Sequence, residues 1–202
     1  RMLIEKELPL SLDKLIAIGT EEESVVPGVK DATEELKQFF HDRLRVMQKD
    51  QGFTAHEVES VIGSEPAILA DVPKRLKAVH DFMSLPEAES LAAANKRIEN
   101  ILKKNTLPLA DAVDPALLTE KEEKDLYEAI RTLEPKLEAD YKAGRYEDEL
   151  RSLAPLKAPV DAFFDKVMVN AEDEALRRNR LTLLNELHKA MNQVAKLSCL
   201  AS

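Results

Sequence analysis

Two His-Asp dipeptides, His41-Asp42 and His80-Asp81, are the residues in this sequence that most resemble catalytic chemistry. A metal-dependent phosphohydrolase uses such pairs, but its metal needs further His and Asp ligands that converge on one point. Only His56 and His188 remain, and neither has a suitable neighbour in the sequence. There is also no glycine-rich phosphate loop, no zinc-type Cys/His spacing and no motif around the single Cys199. We therefore predict no metal site and no self-contained active site in these residues.

Cations cluster on one side of a helix predicted over residues 87–104. At 100° per residue, Leu91, Ile98 and Leu102 form an apolar stripe. The opposite half carries a polar set: Lys96, Arg97, Asn100, Lys103 and Lys104. This set can either follow a phosphate backbone or form an ordinary solvated helix face. Asn95 falls inside the apolar stripe, where a buried amide needs hydrogen-bond partners.

The last predicted helix, residues 173–197, places a guanidinium on its core side. Arg180 falls within the apolar stripe, Arg177 lies at its edge and Arg178 points away. Arg180 must pair with a carboxylate, such as Asp165 or Asp173, or reach into a cleft that holds a ligand. The planar fork of arginine suits both roles, because it binds carboxylate, phosphate or base edges in a bidentate geometry.

The overall charge of the chain is unfavourable for a nucleic-acid partner, but two segments of the chain are basic. The chain has 202 residues, 29 basic and 38 acidic, for a net charge of −9. Residues 74–110 and 151–202 are nevertheless basic, at +3 and +2, whereas residues 1–30, 31–73 and 111–150 carry −2, −5 and −7. Basic faces of this kind can bind phosphates locally despite an acidic total.

Composition predicts a soluble, cytoplasmic protein with a hydrophobic core. No apolar run approaches the length of a membrane span, and we expect neither a membrane partner nor a signal peptide. A single cysteine excludes an intrachain disulfide and fits a reducing compartment. Because Arg1 precedes Met2, we expect a fragment of a longer chain.

Helical periodicity dominates the chain, which predicts an all-α bundle of roughly nine helices. We expect a loop from Thr20 to Val29, a linker over residues 105–115, and helix interruptions at Pro73 and Pro135. The sequence also predicts helix caps at Thr54 with Glu57 and at Thr119 with Glu122, an acidic helix start at residues 172–174, and a helix from about Val160 to Asn170. The apolar positions of the helix predicted over residues 30–51 form one stripe: Leu36, Phe39, Phe40, Leu44 and Met47. We divide the chain into residues 1–110, which lead into the bundle and form its first part, and residues 111–202, which complete one compact domain.

Three stretches together resemble a known family. They are FFHDRLR at 39–45, LPEA at 85–88 running into AAANKRI at 92–98, and APVDAFFDKVMV at 158–169 followed by EDEALRRNRL at 172–181. In this order they resemble the C-terminal region of the β subunit of bacterial glycyl-tRNA synthetase. That region is an anticodon-binding domain of the DALR type, whose tetrapeptide stands here as Glu174-Ala175-Leu176-Arg177.

The resemblance implies an all-α domain that binds the anticodon of tRNA(Gly) within an enzyme that joins glycine to tRNA. It implies the rest of the β subunit and a separate α subunit as partners, a cytoplasmic location, and ATP and Mg²⁺ as requirements of the full enzyme, with no cofactor in this region. From the resemblance and the two basic segments we predict a set of RNA contacts: Lys96, Arg97, Asn100, Lys103, Arg177, Asn179 and Arg180.

Two alternatives remain. The acidic helices of residues 31–73 and 111–150 can dock other parts of the synthetase, in which case the bundle is a protein-interaction module. The chain can also be the anticodon-binding tail of an arginyl-tRNA synthetase, although the continuous match through residues 158–184 favours glycine.

Overall fold

The computed structural model describes residues 2–23 and 33–201. They contain ten α-helices: α1 Met2–Glu5, α2 Leu12–Glu23, α3 Thr33–Asp50, α4 Ala55–Ile62, α5 Val72–Met83, α6 Ala88–Lys104, α7 Lys121–Lys142, α8 Tyr146–Arg151, α9 Lys157–Lys166 and α10 Glu174–Met191. Short 3₁₀ turns lie at Leu69–Asp71, Pro115–Leu117, Ala154–Leu156 and Leu197–Leu200. No strand occurs within the described ranges, so the all-α prediction is confirmed.

Side-chain caps start several of these helices where the sequence predicts them. Thr54 and Glu57 form a capping box at the start of α4, and Asp173 accepts a hydrogen bond from the backbone N–H of Leu176 at the start of α10. At α7 the cap is shifted by one residue from the predicted Thr119 to Glu120, which forms its capping box with Glu123.

Proline and loop predictions need four corrections. Helix α7 continues through Pro135, because that residue removes one backbone hydrogen bond while buried Ile130 and Leu137 hold the helix on either side. Pro73 lies in the first turn of α5, where proline is tolerated. Helix α2 extends to Glu23, so the first part of the predicted loop is helical, and residues 24–29 lie outside the described ranges. Helix α9 begins at Lys157 and ends at Lys166 rather than near Asn170.

Helix α6 lies at the centre of the bundle. It packs against α10, α9, α5 and the turn Leu197–Leu200. Its predicted inner face is buried, with Leu91 and Ile98 at 1% and 0% exposure, and Asn95 is buried beside them. Because this face is fixed in the core, the opposite face of α6 is held rigidly at the surface.

The end of α10 ties the later helices to the earlier ones. Asn192 ends the helix earlier than predicted: its side chain donates to the carbonyl of His188 and accepts from the backbone N–H of Leu197. The guanidinium of Arg75 on α5 donates to the carbonyls of Gln193 and Val194 at 3.1 and 2.7 Å. Residues before and after position 110 therefore pack closely against each other, while the division into 1–110 and 111–202 stays a prediction.

Candidate nucleic-acid interface

A surface groove runs along the solvent side of α6 and reaches the start of α10. Its first section, of about 350 Å³, is lined by Ala93, Lys96, Arg97, Asn100, Ile101 and Lys104. Its second section, of about 500 Å³, is lined by Ile101, Lys104, Asn105, Thr106, Leu107, Asn170, Arg177 and Leu181. The two sections share Ile101 and Lys104 and therefore adjoin each other. We call them together the α6 groove.

The lining of the α6 groove is cationic. It contains Lys96, Arg97, Lys104 and Arg177 and no carboxylate. None of these four cations forms an ion pair in the described ranges, whereas most cations on α7 and α8 pair with acids one helical turn away. A concave surface with several unpaired charges of one sign concentrates the opposite charge from solution. The groove is therefore suited to an anion with repeated charges.

Arg97 also has an aromatic support. Its guanidinium lies 4.1 Å from the centroid of the Phe164 ring on α9, which is a cation–π distance. Phe164 in turn meets the fully buried Phe163 edge to face, with ring centroids 5.6 Å apart. This contact places the guanidinium at the wall of the groove, and a planar guanidinium is a surface on which a nucleobase stacks.

Lys103, predicted as a contact, faces away from the α6 groove. Its Nζ lies 2.7 Å from Oε1 of Glu99, and Nζ of Lys196 lies 3.1 Å from the same oxygen. Burial alone raises the pKa of Glu99, but hydrogen bonds from Lys103, Ser198 and Lys196 outweigh it and lower that pKa to about 2. Lys103 therefore neutralises a carboxylate of its own helix.

Arg180 is buried in the contact between α10 and α7. Its Nε donates to Oε1 of Glu123 at 2.5 Å, and its other nitrogens donate to the carbonyl of Met168 and the hydroxyl of Thr119. The side chains of Arg180 and Glu123 are 7% and 0% exposed. Burial raises the pKa of Glu123, but hydrogen bonds led by Arg180 outweigh this and lower it, so the pair stays charged. Of the two predicted roles, the structure shows carboxylate pairing, with Glu123 as partner instead of Asp165 or Asp173.

Asn179 is likewise an internal residue. Its Oδ1 accepts from the backbone N–H of Asp114 at 2.8 Å, and its Nδ2 donates to the carbonyl of the same residue at 3.0 Å. This pair of hydrogen bonds fixes the 105–115 linker to α10. The structure thus places Lys96, Arg97, Asn100 and Arg177 at the α6 groove, and places Lys103, Asn179 and Arg180 in contacts within the protein. Nζ of Lys96 also donates to the carbonyl of Ala201 at 3.3 Å. Whether any of the seven touches RNA stays a prediction.

Four polar residues line the groove but are not among the seven predicted RNA contacts: Lys104, Asn105, Thr106 and Asn170. Lys104 had a detectable signal, because it lies seven residues after Arg97 and so on the same side of the helix. Asn105 and Asn170 lie outside the helices, and their position depends on how the linker and α9 pack, which helical periodicity does not show.

The two His-Asp dipeptides take part in separate contacts, with Asp42 paired with Arg45 and His80 beside the buried Glu57. Nδ1 of His80 lies 2.8 Å from Oε1 of Glu57, and Asp81 pairs with Lys77. Within the described residues no three His, Cys, Asp or Glu side chains meet in an arrangement that could hold a metal ion. No described helix has both the length and the apolar character of a membrane span.

Comparison with known proteins decides the family. The DALR anticodon binding domain matches residues 91–198, which run from α6 to the C-terminal turn. The chain belongs to the DALR anticodon-binding domain family. The matched residues include both sections of the α6 groove, so the groove lies within the DALR domain of this chain.

Curated relatives match over the whole chain. It is 52% identical to the glycine–tRNA ligase beta subunit of Delftia acidovorans, 50% to that of Dechloromonas aromatica and 51% to that of Leptothrix cholodnii. Each match covers 100% of this chain but 28% of the relative. The chain therefore spans little more than a quarter of the length of these relatives.

Proposed function

We propose that this chain binds tRNA(Gly) as the anticodon-binding part of a glycine–tRNA ligase β subunit, and that the α6 groove is its RNA-binding surface. One observation carries the proposal. The DALR match includes the α6 groove, whose lining has no acid and has four cations that form no ion pair within the described residues. The names of the relatives support glycine over arginine as the amino acid.

Different groove residues suit different parts of the RNA. Lys96, Lys104 and Arg177 offer positive charge to backbone phosphates, which position the strand without reading its sequence. The amides of Asn100 and Asn170 can both donate and accept hydrogen bonds, as the edges of unstacked bases require. The amide of Asn105 is already engaged, because it donates to the carbonyl of Leu107 and accepts from the backbone N–H of the same residue. Arg97, supported by Phe164, offers a face on which one such base stacks.

The acidic remainder of the surface contributes specificity. The net charge of −9 repels a polyanion from most directions, so binding is confined to the groove and depends strongly on salt. For four neutralised phosphates on a single strand, the logarithm of the affinity falls with the logarithm of salt concentration with a slope of about −3.

Other functions of the proposed enzyme lie outside these residues. We propose that glycine is activated with ATP and Mg²⁺ in a separate α subunit, that this chain acts with the rest of the β subunit, and that the complex is cytoplasmic. On this proposal the 202 residues bind RNA without catalysing aminoacylation.

A titration with two transcripts tests the function. The chain is titrated with tRNA(Gly) and with the same tRNA altered only in its anticodon, at about 50 mM and about 200 mM salt. We expect weaker binding of the altered tRNA, and a loss of about 50-fold for tRNA(Gly) between the two salt concentrations. Equal affinity for both transcripts, or binding to neither, would contradict anticodon recognition.

A further inference from the structure

The N-terminal helices carry an apolar surface that the described residues leave uncovered. All but one of the large apolar side chains with the highest exposure lie within residues 2–46, and the exception is Met168. They include Ile18 on α2 and Phe39 and Val46 on α3, at 59%, 52% and 60% exposure. Such a concentration is unusual, since exposed apolar residues normally occur singly.

Helix α3 has the sequence of a helix packed on one side, but the structure buries only part of that side. Of its predicted stripe, Leu44 is buried, whereas Leu36, Phe39 and Phe40 are exposed. Helix α3 packs against α4 and α2, yet these contacts leave Leu36, Phe39 and Phe40 exposed. The sequence therefore specifies more apolar contact than the described residues supply.

The exposed side chains surround a pair of clefts on either side of Phe40. The larger has a volume of about 520 Å³ between α1 and α3, and its apolar walls include Leu3, Ile4, Phe39, Phe40, Val46 and Met47. The second cleft, toward α2, shares Leu3 and Phe40 with the first. The only charged residues in the larger cleft are Arg43 and Asp50, one of each sign, so the site has no preference for a polyanion. We call this surface the α1–α3 apolar face.

Most of each relative's polypeptide lies beyond the part that this chain matches, and it could supply the segment that covers this face. The DALR match starts at residue 91, so the α1–α3 apolar face lies outside that domain. The relatives nevertheless match this chain over its full length, and about three quarters of each relative lies beyond the match. An apolar contact within one polypeptide forms at a high effective concentration and needs less area than association of separate chains.

We propose that the α1–α3 apolar face is an intramolecular docking surface, covered by an apolar segment of the same longer polypeptide that lies outside these 202 residues. This inference rests on the part of the proposed function that makes the chain a region of a β subunit, and it does not depend on RNA binding. The docked segment would fix the orientation of the DALR domain relative to the rest of the subunit.

Photocrosslinking in the complete β subunit polypeptide tests this proposal. The photoreactive residue p-benzoylphenylalanine replaces Phe39 in one variant and Val46 in a second. The control variant carries it in place of Lys124, an exposed residue of α7. After irradiation, mass spectrometry identifies the crosslinked peptides at several protein concentrations.

We expect Phe39 and Val46 to crosslink to peptides outside the 202 residues, with a yield above that at Lys124 and independent of dilution. Adducts to a second copy of the chain, to another protein, or to peptides within the 202 residues alone would overturn the proposal. So would yields equal to that of the control. Affinity for tRNA, measured separately on the same variants, reports on the proposed function without affecting this result.

Discussion

Arg177 and Arg180 are three residues apart on α10, and they belong to two regions of opposite character. Arg177 lines the α6 groove, where the cations have no acidic partner among the residues that the structure describes. Arg180 lies between α10 and α7, where Glu123, Met168 and Thr119 accept hydrogen bonds from its nitrogens. The same side-chain chemistry therefore serves a surface in one case and the fold in the other. The two arginines differ because Arg180 has the buried carboxylate of Glu123 within reach.

The strongest test of this comparison is Arg180→Ala. The substitution leaves the carboxylate of Glu123 buried without its partner, which we expect to lower the free energy of unfolding by about 3–5 kcal/mol. Arg178→Ala is the matched control on the same helix: its ion pair with Glu174 is exposed, and we expect a loss below about 0.5 kcal/mol. Urea unfolding measures both. Equal losses would remove the distinction between the two regions.

A second prediction concerns a buried acid that has no such partner. Glu149 is fully buried, and within the described residues neither carboxylate oxygen has a hydrogen-bond partner. Burial raises its pKa to about 8, against an opposing effect of nearby Arg75. Because the folded-state pKa lies above the unfolded value of about 4.3, the stabilising contribution is complete at low pH and is lost as pH rises through about 8.

This contribution gives the unfolding free energy a slope of up to about 1.4 kcal/mol per pH unit between pH 5 and 8. We expect Glu149→Gln, which stays neutral, to remove that part of the slope in urea titrations at several pH values. Glu128→Gln, at an exposed position of α7, serves as the control and should leave the slope unchanged. An unchanged slope in Glu149→Gln would mean that Glu149 titrates normally in the folded protein.

A smaller effect is expected from the aromatic support of the groove. Phe164→Leu removes the ring under Arg97, and we expect affinity for tRNA(Gly) to fall about two- to fivefold, as for a partly exposed cation–π contact. Phe163→Leu, one residue earlier, changes a fully buried ring and should lower stability while the affinity of the folded protein holds. If Phe164→Leu lowered stability and left affinity unchanged, Phe164 would belong to the core rather than to the groove.

Sequence reasoning succeeded where the information is local. Helical periodicity placed Leu91 and Ile98 inward and Lys96, Arg97 and Asn100 outward, and the caps at Thr54 and Asp173 are local motifs. The role of Lys103 was also detectable, because a Glu four residues before a Lys is the favoured helical ion pair.

The remaining predictions needed contacts between distant residues. Arg180 was correctly placed on the core side of α10, but its partner Glu123 is 57 residues away in the chain, and no spacing rule connects them. Asn179 is fixed by the backbone of the linker, 65 residues away. Pro135 was expected to interrupt α7, because packing on both sides of it cannot be seen in a local window.

The most direct test of the α6 groove compares two adjacent lysines in binding titrations with tRNA(Gly). Lys104 lines the groove and has no acidic partner in residues 2–23 and 33–201, whereas Lys103 pairs with Glu99. Lys104→Gln and Lys103→Gln change the net charge equally. We predict that Lys104→Gln weakens binding about fivefold and makes the salt dependence shallower by about one unit of slope, while Lys103→Gln stays within about twofold of the unsubstituted chain. Equal losses in both variants, or a loss confined to Lys103→Gln, would contradict the α6 groove as the RNA-binding surface.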